Sequence, residues 1–281
     1  MVMSYDNYES SRHSGSPIKL FLFKGTQNIG HFAFCDGETP FTRDGITYQP
    51  WPIKHDDINN SGNLDKADLT VTLALGTDLD ALFVAYPSSQ VINLTIFEGH
   101  IGDVNIPANY PAIWVGRTGG ANFNGNELEI TCDPVSTSIR RPGLRRMYQI
   151  GCPHVLYGDQ CQANKAAATS SRIASAISGR NISLSVALPG PVERFVGGLI
   201  EWDDPATGWH EMRTIVKINP AGTMVTIRGI PKGLSITQTV TVARGCDRQM
   251  TGCNQHSNIF NYGGQPFIPL ENPLSQKNQF Y

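Results

Sequence analysis

Apolar and polar residues alternate with a period of two in several short segments of the first half of the chain. Residues 69–75 give the clearest alternation, and the pattern recurs at 18–23, 46–48, 91–97, 112–115 and 127–131, with Gly, Asn, Asp and Pro between the segments. This period places successive side chains on opposite faces of a strand, and the intervening residues favour turns. The pattern predicts an N-terminal β-sandwich or β-barrel domain over residues 18–135.

Three stretches of this half depart from the alternation. Residues 79–85 are predicted to form a short helix, with Thr77 and Asp78 as the cap. Residues 116–126 are rich in Gly and Asn but lack the lysine and hydroxyl residue that end a phosphate-binding loop, so we expect a β-turn loop there. The polar residues 1–17 are predicted to be a flexible N-terminal segment.

A second alternating set follows a change of composition near residue 136. It comprises residues 182–186, 195–202, 212–216, 224–227 and 240–242. Five short strands with Gly and Pro turns predict a small β-barrel, inserted at about 172–245 within a C-terminal domain of residues 136–281. The Ala-rich residues 163–171 favour a short helix, and the chain from residue 258 is expected to be extended and packed on other parts. The whole protein is predicted to be mostly β.

Composition excludes several classes of function. The chain has 281 residues with 22 Lys and Arg against 24 Asp and Glu, a formal net charge of -2. This near-neutral balance argues against a strongly basic nucleic-acid binder, so we expect no specific nucleic-acid partner. No run approaches the ~20 apolar residues of a membrane-spanning helix. The sequence contains no recognisable catalytic triad, zinc-protease motif or carboxylate pair, so we expect a protein that is not an enzyme.

Four of the six cysteines form two pairs with Gly or Pro beside a thiol. Cys152 and Cys161 make up the first pair, and Cys246 and Cys253 the second. Each pair lies in a loop at an edge of the predicted barrel, so the two loops meet if the first and last barrel strands are neighbours. Residues 1–17 lack the features of a secretion signal, and we expect folding in a reducing cytoplasm, where thiols bind metals more often than they form disulfides.

Four convergent thiolates suit either zinc or an iron–sulfur cluster. The spacings within the pairs match neither zinc knuckles nor ferredoxin motifs, so spacing alone leaves both open, beside two disulfides or four unconnected thiols. Cys35 and Cys132 stand apart and are expected to be buried, inert thiols.

Other residues admit a site but favour simpler roles. His154 and His256 follow a cysteine closely and could complete a site with three cysteines and one histidine, but we expect them beside the ligands or at the surface. The arginines at 140, 141, 145 and 146 favour ion pairs at a subunit interface over DNA contacts. The four tryptophans are expected to anchor cores or interfaces; they are Trp51, Trp114, Trp202 and Trp209.

Two separated segments resemble a known family. Residues 140–149 followed by 152–161 resemble the opening of the C-terminal domain in the tail tip (hub) proteins of tailed phages and gene transfer agents, and residues 245–253 followed by 258–269 resemble the end of that domain. Residues 195–198 and the β-rich first half agree as well. Tail tip protein L of phage lambda is similar in its paired cysteines, although the segment between the pairs is longer in this chain.

The resemblance implies a function and a cofactor. It implies a structural virion protein at the tip of a long non-contractile, siphovirus-like tail, assembled in the host cytoplasm. It implies a [4Fe-4S] cluster held by Cys152, Cys161, Cys246 and Cys253 as a structural cross-link, with zinc as the alternative. It also implies a homotrimer that contacts other tail tip, distal tail and central fibre or hub proteins. The competing functions are an iron–sulfur electron-transfer protein, a zinc-stabilised structural protein and a tail-borne cell-wall hydrolase.

Overall fold

The computed structural model describes residues 5–26, 30–58, 68–84, 89–103, 109–140 and 148–269. The protein is mostly β, as predicted, and the chain divides into two compact units. The first comprises Met1–Arg141 together with Asp203–Glu211, and the second comprises Pro142–Trp202 together with Met212–Tyr281. None of the described helices has the length and apolar character needed to cross a membrane.

The strands of the first unit form one sheet. In chain order they are β1 Pro17–Gly25, β2 His31–Cys35, β3 Phe41–Arg43, β4 Ile46–Pro50, β5 Ile53–His55, β6 Leu69–Ala74, β7 Ile92–His100, β8 Ala112–Asn124 and β9 Glu127–Pro134. Their spatial order is β3-β4-β2-β1-β7-β8-β9-β6-β5. Neighbours are antiparallel except β2 and β4, which are parallel.

Apolar side chains cover both faces of this sheet. Phe21 and Phe23 of β1 belong to the larger core, whereas Ile18 and Leu20 of the same strand belong to a smaller core. These assignments follow from alternation, because side chains one residue apart point to opposite faces. Trp114 and Trp209 are buried in the larger core and Trp51 packs against it, while Trp202 is buried in the second unit, which confirms their predicted roles as anchors.

Two short helices belong to the first unit. Helix α1, Tyr5–Glu9, lies within the segment predicted to be flexible; Tyr8 stacks on His100 at a ring separation of 5.3 Å, and Glu9 pairs with His100 at 3.0 Å. Helix α2, Asp78–Ala81, begins at the predicted cap, Thr77. It is shorter than the predicted helix 79–85, whose last residue lies outside the described residues.

The prediction of a β-turn loop at 116–126 is wrong for most of these residues. Strand β8 continues through these residues to Asn124, and the turn is confined to Gly125 and Asn126. A β-bulge between Thr118 and Gly120 accommodates the glycines. Gly116 is required by packing, because a Cβ there would collide with the Trp114 ring and the Asp133 carbonyl.

The second unit contains a closed six-stranded barrel. Its strands are β10 Thr169–Ser178, β11 Asn181–Leu184, β12 Leu199–Asp203, β13 His210–Ile218, β14 Met224–Ile227 and β15 Thr239–Ala243, in the order β10-β11-β14-β13-β12-β15. Residues 203–211, at the connection of β12 and β13, belong to the first unit. After the barrel come helix α3, Met250–Gln255, and a 3₁₀ turn, Ile259–Asn261.

The prediction of a helix at 163–171 is wrong. The sequence also predicted five barrel strands, whereas the described barrel has six. Ala166–Ala168 form only a single 3₁₀ turn, and strand β10 begins at Thr169. Strand β10 was missed because it carries one fully buried side chain, Ala174, among otherwise more exposed residues. Its pairing with β11 and β15 overrides the local helix propensity of alanine.

Candidate metal centre at the paired cysteines

The barrel brings the two cysteine segments together. Its first strand, β10, pairs with its last strand, β15, so that Thr169 lies opposite Ala243. The chain that carries Cys161 enters the barrel at this point, and the chain that carries Cys246 leaves it there. From the sequence, we expected the two cysteine loops to meet only if the first and last barrel strands are neighbours. The two strands are neighbours.

Backbone contacts fix the two segments to each other. The N–H of Cys152 donates to the carbonyl of Arg248 at 2.8 Å. Between the barrel and Cys246, the chain passes so close to the segment 196–198 that a Cβ on Gly245 would collide with the Val196 carbonyl and the Gly198 nitrogen. Glycine beside this cysteine is therefore needed for a close backbone approach.

All four paired cysteines line one cavity. Its volume is about 80 Å³. The lining residues are Cys152, His154, Leu156, Cys161, Gly197, Cys246, Arg248, Cys253 and Asn261. Among the described residues, the lining therefore includes no carboxylate, so the donor set is rich in sulfur, and soft metal centres prefer such ligands.

N–H groups are directed at three of the sulfur atoms. The backbone N–H of Gly263 donates to Cys152 Sγ and that of Arg248 to Cys246 Sγ, each at 3.4 Å. The Asn258 side chain lies 3.8 Å from Cys161 Sγ and also donates to the carbonyl of Cys161. Such donors stabilise negative charge on sulfur.

The fourth sulfur is the donor in its hydrogen bond. The Cys253 thiol donates to the Asn258 carbonyl at 3.0 Å. A thiolate cannot donate, so ligation by Cys253 requires loss of this proton and of this hydrogen bond.

Burial and the neighbouring thiols disfavour thiolates in the absence of a compensating cation. Burial raises the pKa of Cys246, and the adjacent Asp247, Cys161 and Cys152 raise it further. Burial likewise raises the pKa of Cys253, followed by the effect of the other three thiols. A bound metal must therefore displace protons here, and its binding weakens as the pH falls.

Both histidines predicted beside the ligands make hydrogen bonds to backbone carbonyls. His154 lies at the cavity with Nδ1 3.1 Å from the Asn261 carbonyl. His256 Nε2 lies 2.8 Å from the Gly245 carbonyl, and its ring packs edge-on against Tyr157. These bonds orient the loops that carry the cysteines.

Among the described residues, no three His, Cys, Asp or Glu side chains lie close enough together to bind a single metal ion. A structural zinc ion needs its ligands to meet at about 2.0–2.3 Å from a single point. The four thiols line a common space.

The other candidate residues lie elsewhere. Cys35 and Cys132 are buried in the two cores of the first unit, as expected, and burial raises the pKa of Cys132 to about 12. The arginines at 141, 145 and 146 lie outside the described residues, and the side chain of Arg140 is not described either.

Sequence reasoning missed three supporting residues. Tyr157 donates to the Arg244 carbonyl at 2.5 Å, and Tyr262 donates to the Ile150 carbonyl at 2.6 Å. Tyr157 lies between the cysteines of the first pair, and Asn258 and Tyr262 follow the second pair; together they tie the two cysteine segments to each other. Their proximity to the cysteines in sequence was the available signal, but their partners are more than 85 residues away.

Three comparisons place the chain among known proteins. Residues 193–272, which include Cys246 and Cys253, match the family model described as "Phage conserved hypothetical protein BR0599". A protein of Xylella fastidiosa (strain 9a5c), described as an uncharacterized protein, is 26% identical over 166 residues. That alignment covers 55% of this chain and 34% of the relative, so the chain matches about a third of the relative's length.

A solved structure shares the fold over nearly the full length. A chain of the "Virion of native gene transfer agent (GTA) particle" superposes with a TM-score of 0.76 and 16% identity, covering 95% of this chain and 93% of that chain. At this identity the likeness establishes a common fold.

Proposed function

We propose that this chain is a structural protein of a phage-type virion and acts at the tail tip, where its paired cysteines hold a [4Fe-4S] cluster as a cross-link. The premise is the family match at 193–272 together with a fold shared, almost end to end, with a chain of a gene transfer agent virion. The resemblance of the cysteine segments to tail tip proteins supplies the finer assignment.

One observation carries the cofactor proposal: four thiols from two remote segments line one small cavity, and the described lining includes no carboxylate. Sulfur-only ligation suits iron–sulfur clusters and structural zinc alike. The resemblance of the cysteine segments to tail tip proteins favours the cluster over a single zinc ion.

Cys152, Cys161, Cys246 and Cys253 would hold the cluster. When bound, it supplies four metal–thiolate bonds that join the two segments. The N–H groups of Gly263 and Arg248 then donate to ligand sulfurs and reduce the repulsion among the thiolates. Tyr157, Tyr262 and Asn258 hold the loops in place by their hydrogen bonds to the opposite segment.

The cross-link stabilises the second unit in part by restricting its unfolded chain. About 85 residues separate Cys161 from Cys246. If the loop-entropy relation for disulfides applies, closing such a loop contributes about 4 kcal/mol. Metal ligation adds to this, because a site absent from the unfolded chain turns binding free energy into folding free energy.

The role in the virion is assembly rather than catalysis. Three copies around the tail axis, contacting distal tail and central fibre or hub proteins, form the proposed arrangement. The β-sheet of the first unit ends in strands β3 and β5, and such edges are suited to contacts between repeated subunits.

The test is metal content after substitution. Protein purified without oxygen should contain iron and acid-labile sulfide with little zinc. Replacing Cys253 by Ser should reduce the iron content severalfold and give an insoluble or misassembled second unit, because the remaining ligands leave the cluster incompletely held.

Cys132→Ala is the matched control, since that thiol is buried in the first unit; its iron content should equal that of the wild type. Wild-type iron content in Cys253→Ser, or zinc in place of iron in the wild type, would contradict the cofactor proposal. A stable, reversible redox couple would instead favour the electron-transfer alternative.

A further inference from the structure

The near-neutral charge of the chain conceals two units of opposite charge. The first unit contains 9 Lys and Arg against 19 Asp and Glu, which gives -10, and the second contains 13 against 5, which gives +8; together they give the -2 of the whole chain. Opposite charges of this size favour association of one unit with the other and disfavour contacts between like units.

Three exposed cations of the second unit lie on one outer strip of the barrel. Lys217 of β13 and Asn181 of β11 both lie opposite Thr226 of β14, so these three polar side chains stand side by side. Arg180 precedes Asn181, and its Nε donates to the carbonyl of Ile227, the neighbour of Arg228. We define the basic strip as Arg180, Lys217 and Arg228 together with their neighbours Asn181, Val216, Met224 and Thr226.

The basic strip has apolar side chains among its cations. Val216 and Met224 are 47% and 36% exposed. In the described part of the chain, no ion pair joins Arg180, Lys217 or Arg228 to a carboxylate. Exposed cations around an apolar centre are the arrangement of a protein interface, with a polar rim and a drier core.

The first unit carries a feature of matching chemistry at the tip of the β8–β9 hairpin. Glu127 lies opposite Asn124, and Glu129 lies opposite Asn122, so the two carboxylates stand on one face of β9. Phe123 lies opposite Leu128, on the other face of the hairpin, so the docking face carries the carboxylates and not this ring. A Cβ at Gly125 would meet no described atom within 4 Å, which indicates that the tip is open to a partner.

We propose that the β8–β9 hairpin tip of one copy docks on the basic strip of another copy. Glu127 and Glu129 pair with the cations of the strip. Arginine pairs with carboxylates in two-point contacts. This contact rests on the proposed assembly role and gives it a partner: a second copy, joined head to tail.

The test is association of the full chain at low and high salt. Wild type should self-associate at about 50 mM salt and dissociate at about 500 mM, because exposed charge pairs are screened. Lys217→Glu with Arg228→Glu should weaken association about tenfold or more, as should Glu127→Lys with Glu129→Lys.

Mixing the two charge-reversed proteins should restore association, because each then offers a complementary surface to the other. Arg12→Glu with Lys24→Glu is the matched control: it shifts the net charge as much as the barrel variant does, but makes the first unit more acidic, and association should not weaken. Melting curves and iron content, expected to equal those of the wild type, establish that each variant folds.

Three results would overturn the inference. Association unaffected by both reversals would do so, as would failure of the two mixed variants to associate although each is folded. Salt-sensitive binding of a DNA duplex, lost in the barrel variant while the chains stay monomeric, would make the strip a nucleic-acid surface. Iron content and incorporation into virions test the proposed function independently of self-association. The proposed function can therefore hold even if the contact between copies is not found.

Discussion

Six cysteines of this chain occupy two kinds of environment. Cys35 and Cys132 are enclosed by apolar side chains in the first unit, where they behave as small hydrophobic residues. Cys152, Cys161, Cys246 and Cys253 line a cavity in the second unit, and N–H groups point at three of the four sulfurs. The sequence distinguished these groups by pairing and flanking residues, but the N–H donors come from residues that only folding brings near.

Alkylation should separate the two groups of thiols. Burial raises the pKa of Cys132 to about 12 and raises that of Cys35. Both thiols are buried, whereas Cys161 and Cys246 are partly exposed, and a reagent reaches an accessible thiol first. In folded protein stripped of metal, iodoacetamide should therefore label Cys161 and Cys246, while Cys35 and Cys132 stay unlabelled until denaturation. Mass spectrometry of the peptides measures the extent of labelling at each cysteine. If Cys132 were labelled as fast as Cys161, the larger core of the first unit would be accessible to the reagent, contrary to this prediction.

At the scale of elements, alternation located most strands and failed where the pairing of strands outweighs local pattern. Strand β10 carries mostly exposed, small and polar side chains, yet it closes the barrel through hydrogen bonds to β11 and β15. Strand β8 runs through glycines from which the sequence predicted a loop. Gly116 leaves room for the Trp114 ring, and a β-bulge between Thr118 and Gly120 accommodates the shift in register. In both strands the decisive partner is remote in sequence.

The close approach beside Cys246 gives a test at this scale. Gly245→Ala should destabilise the second unit by about 2 kcal/mol or more, because its Cβ would collide with the segment 196–198. Gly151→Ala also alters a glycine before a paired cysteine, but its Cβ would meet only the Arg248 carbonyl at an ordinary 3.7 Å. That variant should change stability by about 0.5 kcal/mol or less. Denaturant unfolding of the two proteins compares them, and equal midpoints would mean that the chain relaxes freely at Gly245.

At the scale of the molecule, each unit has its own core, and the candidate metal site belongs entirely to the second. Metal removal should therefore affect the units unequally. The barrel retains its strand pairing, but the loops beyond it lose the bonds that join the cysteine pairs.

Hydrogen exchange before and after chelation measures this difference. Amides in residues 148–161 and 246–269 should exchange about tenfold faster or more after chelation, because a ligand that binds only the folded state stabilises it. Amides of β1 and β7, at the centre of the sheet, should keep their protection. Equal loss of protection in both units would contradict a local cross-link.

The sequence by itself determined the mostly-β class, the small barrel and the grouping of the cysteines, since period-two alternation and residue spacing are local properties. Tertiary structure alone decided which strand closes the barrel, that the four paired thiols share one cavity, and which backbone groups face their sulfurs. It also assigned Asp203, Asp204 and Glu211 to the first unit although they lie between strands of the barrel, which increases the charge difference between the two units. Long-range pairing decided each of these features, and no local pattern records which remote segments will meet.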